Sequence, residues 1–213
     1  MKAVVQNHGP DISSVMFSLH AFTRCDSTSA FVRRGKVAPY KTLKSFPHFK
    51  ATFESLACHK DILQTAYDEL EHFVCCMYGK SGYTEVNKLR YDMFKHKFQP
   101  KNGQPLSSSD CIDLSLLPPC KTSLHMHIQR SNHHAYIWNL ADVACPEIPS
   151  PVGKGWTVDN SGQLRIDWVK GDNLPQELID IMPGTDEEGD ESDDSDDDSI
   201  DFDSMIDIIY DDD

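Results

Sequence analysis

The sequence predicts a mainly α-helical protein that ends in a disordered acidic tail, and three features carry this prediction. Residues 62–77 repeat apolar side chains at steps of three and four, which is the spacing of an amphipathic helix. Residues 122–144 contain a second set of apolar anchors of helical character. Residues 186–213 hold 16 of the 34 acidic residues and no Lys or Arg. Such a segment has too little apolar surface to offset the entropy lost on folding.

Local signals define the elements that precede the helix predicted at residues 122–144. Residues 13–25 contain enough apolar side chains for a buried helix, or for a strand that leads into one. Gly79 is expected to end the helix of residues 62–77, and Thr84 is expected to cap the next helix. Residues 99–120 are rich in Pro, Gly, Asn and Ser, which favours a long connecting loop.

The segment after the helix predicted at residues 122–144 is expected to be extended, with a short hairpin around Asn160, Ser161 and Gly162. The whole chain then divides into four parts: residues 1–45 at the front, a helical domain at 46–145, an extended or hairpin segment at 146–183 and the disordered acidic tail at 184–213.

Charge and cysteine content limit the functional classes. The net charge of −14 comes from the tail, because the remaining residues carry 18 acids and 20 bases. The acidic total therefore does not exclude a nucleic-acid partner. The seven cysteines show no CxxC spacing and no secretory leader precedes them, which favours a reduced, intracellular protein. No run of apolar residues is long enough to span a membrane, so we expect no membrane role.

The segment HAFTRCDSTSAF at residues 20–31 resembles the HALTGCDTTSAF-type motif of an uncharacterised, mobile-element-associated family of animal proteins. The resemblance extends over residues 14–170. It includes, in the order expected of that family, the segments KSFPHFKATFESL, LPPCKTSLHMHIQRSNHHAYIWN and EIPSPVGKGW.

The chain is similar to the back half of that family's proteins, which resembles the C-terminal part of a PIN or flap-endonuclease-like nuclease domain. The resemblance implies that residues 1–45 are a remnant of such a domain with a helix-turn-helix, and that the chain is the back portion of a larger protein type. Asp26 then becomes a candidate ligand for Mg²⁺ or Mn²⁺, although two-metal hydrolysis needs several convergent carboxylates. The alternative for Asp26 is a helix N-cap.

Two further features of this region depart from or extend the family pattern. Arg24 stands where the family has Gly, so a positive φ at this position would be strained. The cluster Arg33, Arg34, Gly35 and Lys36 is expected at the helix-turn-helix, either as a nucleic-acid-binding site that contacts phosphates or as a solvated basic face.

The histidines and cysteines are weaker candidates for a metal site and for a catalytic nucleophile. His125, His127, His133 and His134 suggest zinc, but their spacing completes no tetrahedral set; only His127 and His134 share one helix face. Cys75 and Cys76 lie near His72, yet their positions favour buried apolar side chains over a nucleophile.

The tail contains an apolar segment among its acids. It is either a partner-binding segment that folds onto a basic or apolar protein surface, or part of a tail that only increases solubility. Its candidate contact residues are Phe202, Met205, Ile206, Ile209 and Tyr210.

Together these features predict a non-catalytic module that binds nucleic acid or protein and derives from a mobile-element, nuclease-like protein. No cofactor is expected. One alternative is a Mg²⁺- or Mn²⁺-dependent, structure-specific nuclease that needs a separately encoded front half. Another is a protein-interaction module that acts through its acidic tail. The location is expected to be intracellular, with the nucleus as the candidate compartment.

Overall fold

Helices dominate the part of the chain that the computed structural model describes, which is residues 14–56, 58, 61–98, 100–101, 104–108 and 113–169. These residues belong to one compact unit that ends at Gly171. The α-helices found in them are α1 (Met16–Thr23), α2 (Val37–Ser45), α3 (Phe49–Ser55), α4 (Gln64–Met77), α5 (Val86–Lys97) and α6 (Lys121–Asn139).

Two short antiparallel hairpins and one 3-10 helix accompany these helices. The first hairpin pairs β1 (Pro100–Lys101) with β2 (Gln104–Ser108), and the second pairs β3 (Trp156–Val158) with β4 (Leu164–Ile166). The 3-10 helix covers Leu114–Leu116. The prediction of a mainly helical protein is confirmed for the described residues. The predicted loop at 99–120 differs, since it contains the first hairpin and the 3-10 helix.

Aromatic side chains form the centre of the apolar core. Phe73 of α4 meets Phe53 edge to face at 4.9 Å between ring centroids, and Phe49 at 5.3 Å. Phe22 of α1 lies 6.0 Å from the same ring. All four rings are completely buried, and edge-to-face geometry places the positive ring edge against a negative ring face. The core therefore joins α1, α3 and α4.

The predicted amphipathic helix is confirmed as α4, and its end follows the expected signal. Gly79 adopts φ 73°, a left-handed conformation that glycine enters without a Cβ clash. The predicted cap by Thr84 is wrong. The N-cap of α5 is Glu85, whose side chain makes no capping bond; the carboxylate of Glu71 on α4 instead accepts a 3.0 Å hydrogen bond from Val86 N.

The predicted hairpin around residues 160–162 is also confirmed. Its turn is held by the Asp159 carboxylate, whose Oδ1 accepts hydrogen bonds from the Ser161 and Gln163 amides at 2.9 Å each.

The helix predicted at residues 122–144 is α6, which ends at Asn139 rather than at residue 144. The Leu140 amide bonds back to the carbonyls of that last turn, which closes the helix.

A glycine allows the segment before β3 to approach α6. Gly155 has φ +86°, and a Cβ at this position would lie 2.8 Å from the Met126 carbonyl oxygen and 2.7 Å from Arg130 Cγ. A larger residue would therefore be both strained and too close.

Among the described helices, none combines the length and the apolar composition that crossing a membrane requires.

The core does not separate at the predicted boundary between residues 45 and 46. Phe31 and Leu43 belong to the same buried apolar cluster as Phe49, Phe73 and Leu124. Side chains from both sides of the boundary thus share one hydrophobic core.

Candidate nucleic-acid interface

The family-like motif at residues 20–31 contains the C-terminal end of α1, where a helix leaves its last carbonyl groups without intrahelical partners. Lys36 provides hydrogen-bond donors for some of the groups at this end. Its Nζ donates to the His20 carbonyl at 2.9 Å, to Thr23 Oγ1 at 2.9 Å and to the Arg24 carbonyl at 2.6 Å. A cation at this end of a helix also interacts favourably with the helix dipole.

Other side chains satisfy the neighbouring carbonyls. His127 of α6 donates from Nε2 to the Phe22 carbonyl at 2.6 Å. The Thr28 hydroxyl donates to the Ala21 carbonyl at 2.7 Å and accepts from the Cys25 amide at 2.8 Å. Residues after α1 therefore fold back over its end, and α6 completes the cap.

Arg24 occupies a backbone conformation that favours glycine. Its φ of 140° and ψ of 124° lie in a region that L residues rarely adopt because of Cβ contacts. Strain at this position was the prediction for a positive φ. The structure places Arg24 in that conformation, with an exposed side chain.

We expect Arg24→Gly to increase the free energy of unfolding by about 1 kcal/mol, since it removes this strain and its gain exceeds the added entropy of the unfolded chain. Urea unfolding of the two proteins measures the change. Lys88→Gly is the matched control because Lys88 is exposed within α5, where glycine should cost about 1 kcal/mol. A loss of stability in both variants would contradict the assignment of strain to Arg24.

Asp26 lies in a tight turn and caps no helix. The turn is closed by a bridge between Cys25 and Thr28, and the next helix begins only at Val37. The predicted helix N-cap at Asp26 is therefore wrong. The predicted helix-turn-helix is also not formed here, because residues 24–36 connect α1 to α2 whereas such a motif uses a turn of about three or four residues.

The surroundings of Asp26 contain histidines but no convergent set of metal ligands. The neighbouring Ser27 hydroxyl contacts His134 Nε2. Burial lowers the pKa of His134 and of His20, and the charge of Asp26 opposes this change in both. Within the described residues, no three His, Cys, Asp or Glu side chains are grouped to hold a metal ion. Among these described residues, Asp26 therefore has no grouped partner ligands of the kind that a two-metal site needs.

The two histidines predicted to share a helix face both contact the motif. His127 binds the Phe22 carbonyl, and His134 contacts Ser27. Burial lowers the pKa of His127 to about 4, so this ring is neutral at pH 7. The histidine face of α6 therefore docks α1 and its following turn.

The cysteine pair of α4 behaves as part of the core. Cys75 and Cys76 are both buried. Burial, with a smaller effect of the Glu71 charge, raises the pKa of Cys75 to about 12, and burial also raises the pKa of Cys76. Thiols in this state are poor nucleophiles at neutral pH. This agrees with the interpretation of both residues as buried apolar side chains.

The predicted basic cluster divides into residues with different roles. Arg33 is exposed and adopts φ 54°. The Arg34 guanidinium lies over the Tyr78 ring at 4.9 Å from its centroid, a cation–π contact. Gly35 is exposed, with open space around it. Lys36 caps α1, so its ammonium group is already bonded to the protein.

A wider basic region surrounds this cluster, and sequence reasoning missed it. Residues 27–53 contain six Lys and Arg residues and no acid. In α2, Val37, Lys41 and Lys44 are exposed at steps of four and three residues, which places them on one helix face. No side chain caps the first turn of α2, and that turn contains no acid. We call Arg33, Lys41, Lys44 and the N-terminus of α2 the basic surface.

The predicted contact residues of the tail lie outside the described residues, so the structure does not test them. These residues are Phe202, Met205, Ile206, Ile209 and Tyr210.

The chain has no match among the family models, the curated proteins or the solved structures with which it was compared.

Proposed function

We propose that this protein is a non-catalytic binding module that contacts nucleic-acid phosphates through the basic surface. The observation that carries the proposal is the acid-free region of residues 27–53, from which α2 presents Lys41 and Lys44 to solvent. Lysine and arginine side chains bind phosphates electrostatically and without regard to base sequence. The origin from a mobile-element, nuclease-like protein is part of the same proposal.

The N-terminus of α2 adds to this surface. The first amides of a helix point outward and carry a partial positive charge, which favours anions at that end. In the first turn of α2, Pro39 has no amide hydrogen and the Tyr40 amide donates to the Lys36 carbonyl at 3.4 Å, so the donors at this end are the Val37 and Ala38 amides. The turn has neither a capping side chain nor an acid that would compete for them. Arg33 lies four residues before the first residue of this helix. Lys36 is not part of the basic surface, because its ammonium group already donates hydrogen bonds at the C-terminal end of α1.

The basic surface predicts salt-sensitive DNA binding that depends on three side chains. We expect Arg33→Gln, Lys41→Gln and Lys44→Gln together to weaken binding to a labelled single-stranded oligonucleotide and to reduce the slope of log K against log salt by about 2. Fluorescence anisotropy between 50 and 200 mM salt, roughly the range over which phosphate contacts lose affinity, measures both quantities. Gln retains most of each side chain's length and removes its charge.

A second triple variant separates this surface from total charge. Lys88 and Lys95 of α5 and Arg165 of β4 are exposed and do not belong to the basic surface, so their replacement by Gln removes the same number of charges elsewhere. Equal loss of affinity in the two triple variants would show that net charge alone attracts DNA. Absence of salt-dependent binding in the unaltered protein would overturn the proposal.

The nuclease alternative has its own readout. Flap and single-stranded DNA are incubated with the full chain and Mg²⁺ or Mn²⁺, beside the variant Asp26→Ala. Because the proposed module only binds, we expect both proteins to leave the DNA intact. Cleavage that disappears in Asp26→Ala would replace the binding proposal with a metal-dependent nuclease.

A further inference from the structure

A cavity of about 280 Å³ lies beside the core, separate from the exposed face of α2. Residues 29–32 form one wall, and Tyr78, residues 114–119 and side chains of α5 and α6 form others, with Trp168 also in the lining. Most of the lining is apolar, including Phe31 and Leu117. Cavities near this volume accommodate a small organic molecule when a few polar groups orient it.

Arg130 contributes an incompletely bonded cation to this wall. The residue is 1% exposed, and its Nε is buried without a hydrogen-bond partner. One terminal nitrogen, Nη1, donates to the Asp167 carbonyl at 2.6 Å and to the Gly155 carbonyl at 3.3 Å. Burial lowers the pKa of Arg130, and the charge of the Asp167 carboxylate opposes this change only in part. A buried guanidinium carries a large desolvation cost, and an anion that hydrogen-bonds it would offset more of that cost.

A second guanidinium lines the same cavity. Arg90 of α5 is half-buried and donates from one terminal nitrogen to the Pro118 carbonyl at 2.6 Å. A guanidinium has five N–H donors in a planar fork, so others remain for a ligand. His127 also lines the cavity, but its low pKa leaves it neutral at pH 7. The charge of the cavity is therefore set by the two arginines.

Trp168 packs against Arg130 at the edge of the cavity. The guanidinium carbon lies 5.0 Å from the centroid of the indole ring, and the Trp168 residue is 54% exposed. Because Trp168 also lines the cavity, its fluorescence is expected to change when a ligand binds there.

We infer that this cavity binds a small organic anion, a carboxylate or a phosphate monoester, whose oxyanion pairs with Arg90 and Arg130 and whose flat apolar part fills the apolar walls. The oxyanion supplies the acceptors that the guanidinium groups lack. This site is independent of the basic surface and of DNA binding, since Lys41 and Lys44 do not line it.

Titration calorimetry and tryptophan fluorescence on the full chain test the inference with benzoate, phenyl phosphate and benzamide. Benzamide is the neutral isostere of benzoate and measures the apolar contribution alone. We expect at least one of the two anions to bind roughly tenfold more tightly than benzamide, the effect of one charge-assisted hydrogen bond. The tighter anion identifies the oxyanion type. Equal affinity for benzamide and both anions, or no saturable binding, would overturn the inference.

Variants locate the binding within the cavity. Arg130→Met should abolish the preference for the anion over benzamide. Because that variant removes a buried side chain, Arg90→Gln is the second test; its expected loss is roughly tenfold in anion affinity with an unchanged circular dichroism spectrum. Arg165→Gln is the matched control, since Arg165 is an exposed arginine outside the cavity. An equal loss in Arg165→Gln would place the anion elsewhere.

Discussion

Glu71→Ala is expected to lower the free energy of unfolding by about 3 kcal/mol, the low end of the cost of breaking a buried ion pair. The Glu71 side chain is 3% exposed, and its Oε2 lies 2.9 Å from Lys121 Nζ at the start of α6. Its Oε1 accepts the 3.0 Å hydrogen bond from Val86 N at the start of α5. Removing the carboxylate leaves both groups without this partner and weakens the junction of three helices.

The low end of that range applies because Lys121 is not fully buried. Its side chain is 41% exposed, so water hydrates the ammonium once the carboxylate is gone. The lost bond to the Val86 amide accounts for about 1–3 kcal/mol, the usual cost of an unsatisfied buried donor. Most of the expected effect therefore comes from the backbone amide rather than from the salt bridge.

Urea unfolding of Glu71→Ala, Glu71→Gln and Glu69→Ala checks this division. Gln retains an acceptor for the Val86 amide and should cost less than half as much as Ala. Glu69 is exposed on the same helix, so its replacement should change stability by less than about 0.5 kcal/mol. Equal losses in the Ala and Gln variants at position 71 would show that the charge, not the amide bond, dominates.

Sequence patterns predicted the elements whose signals are local. The spacing of apolar residues in α4, the glycine after it and the turn at 160–162 each act within a few residues of the chain, and each prediction was confirmed. The two wrong predictions of helix caps, at Thr84 and Asp26, have a common cause. At α5 the Val86 amide is bonded by Glu71, 15 residues earlier, and no local capping signal marks a partner at that distance.

The motif at residues 20–31 illustrates the same limit at its candidate site residues. Asp26 followed by Ser27 and Thr28 has the local pattern of a helix N-cap, but the Thr28 hydroxyl bonds the end of α1 instead. Lys36 reaches His20 across 16 residues and His127 reaches Phe22 across 105. Side-chain partners at such separations depend on how α1 packs on α6, which the residue pattern alone does not specify.

This packing changes what the motif contributes to the proposed nucleic-acid site. Lys36 and Thr28 stabilise the end of α1, while Arg33, which lies between them in the sequence, is exposed. The motif thus anchors the connection from which the basic surface begins. A sequence scan for acid-free windows finds the rest of that surface, since residues 27–53 contain six bases and no acid.

Acidification is expected to destabilise the protein through His127. Burial, the largest cause, and the charge of Arg130 lower the pKa of His127 from 6.5 to about 4, while its hydrogen bond to Phe22 opposes the change. Between these values the unfolded state binds a proton that the folded state does not, so stability is complete above pH 6.5 and falls as the pH decreases toward 4. The pKa values of His133 and His134 are lowered too, which adds in the same direction.

From His127 alone, the free energy of unfolding should be about 2 kcal/mol lower at pH 5 than at pH 7, because each unit of pKa difference corresponds to about 1.4 kcal/mol. Urea unfolding at the two pH values measures this loss. His127→Gln keeps an N–H donor for the Phe22 carbonyl but does not titrate, so the variant should lose less stability on acidification. His96→Gln, at an exposed position of α5, should retain the full loss. The same pH dependence in all three proteins would show that the buried ring of α6 is not the group that couples folding to pH.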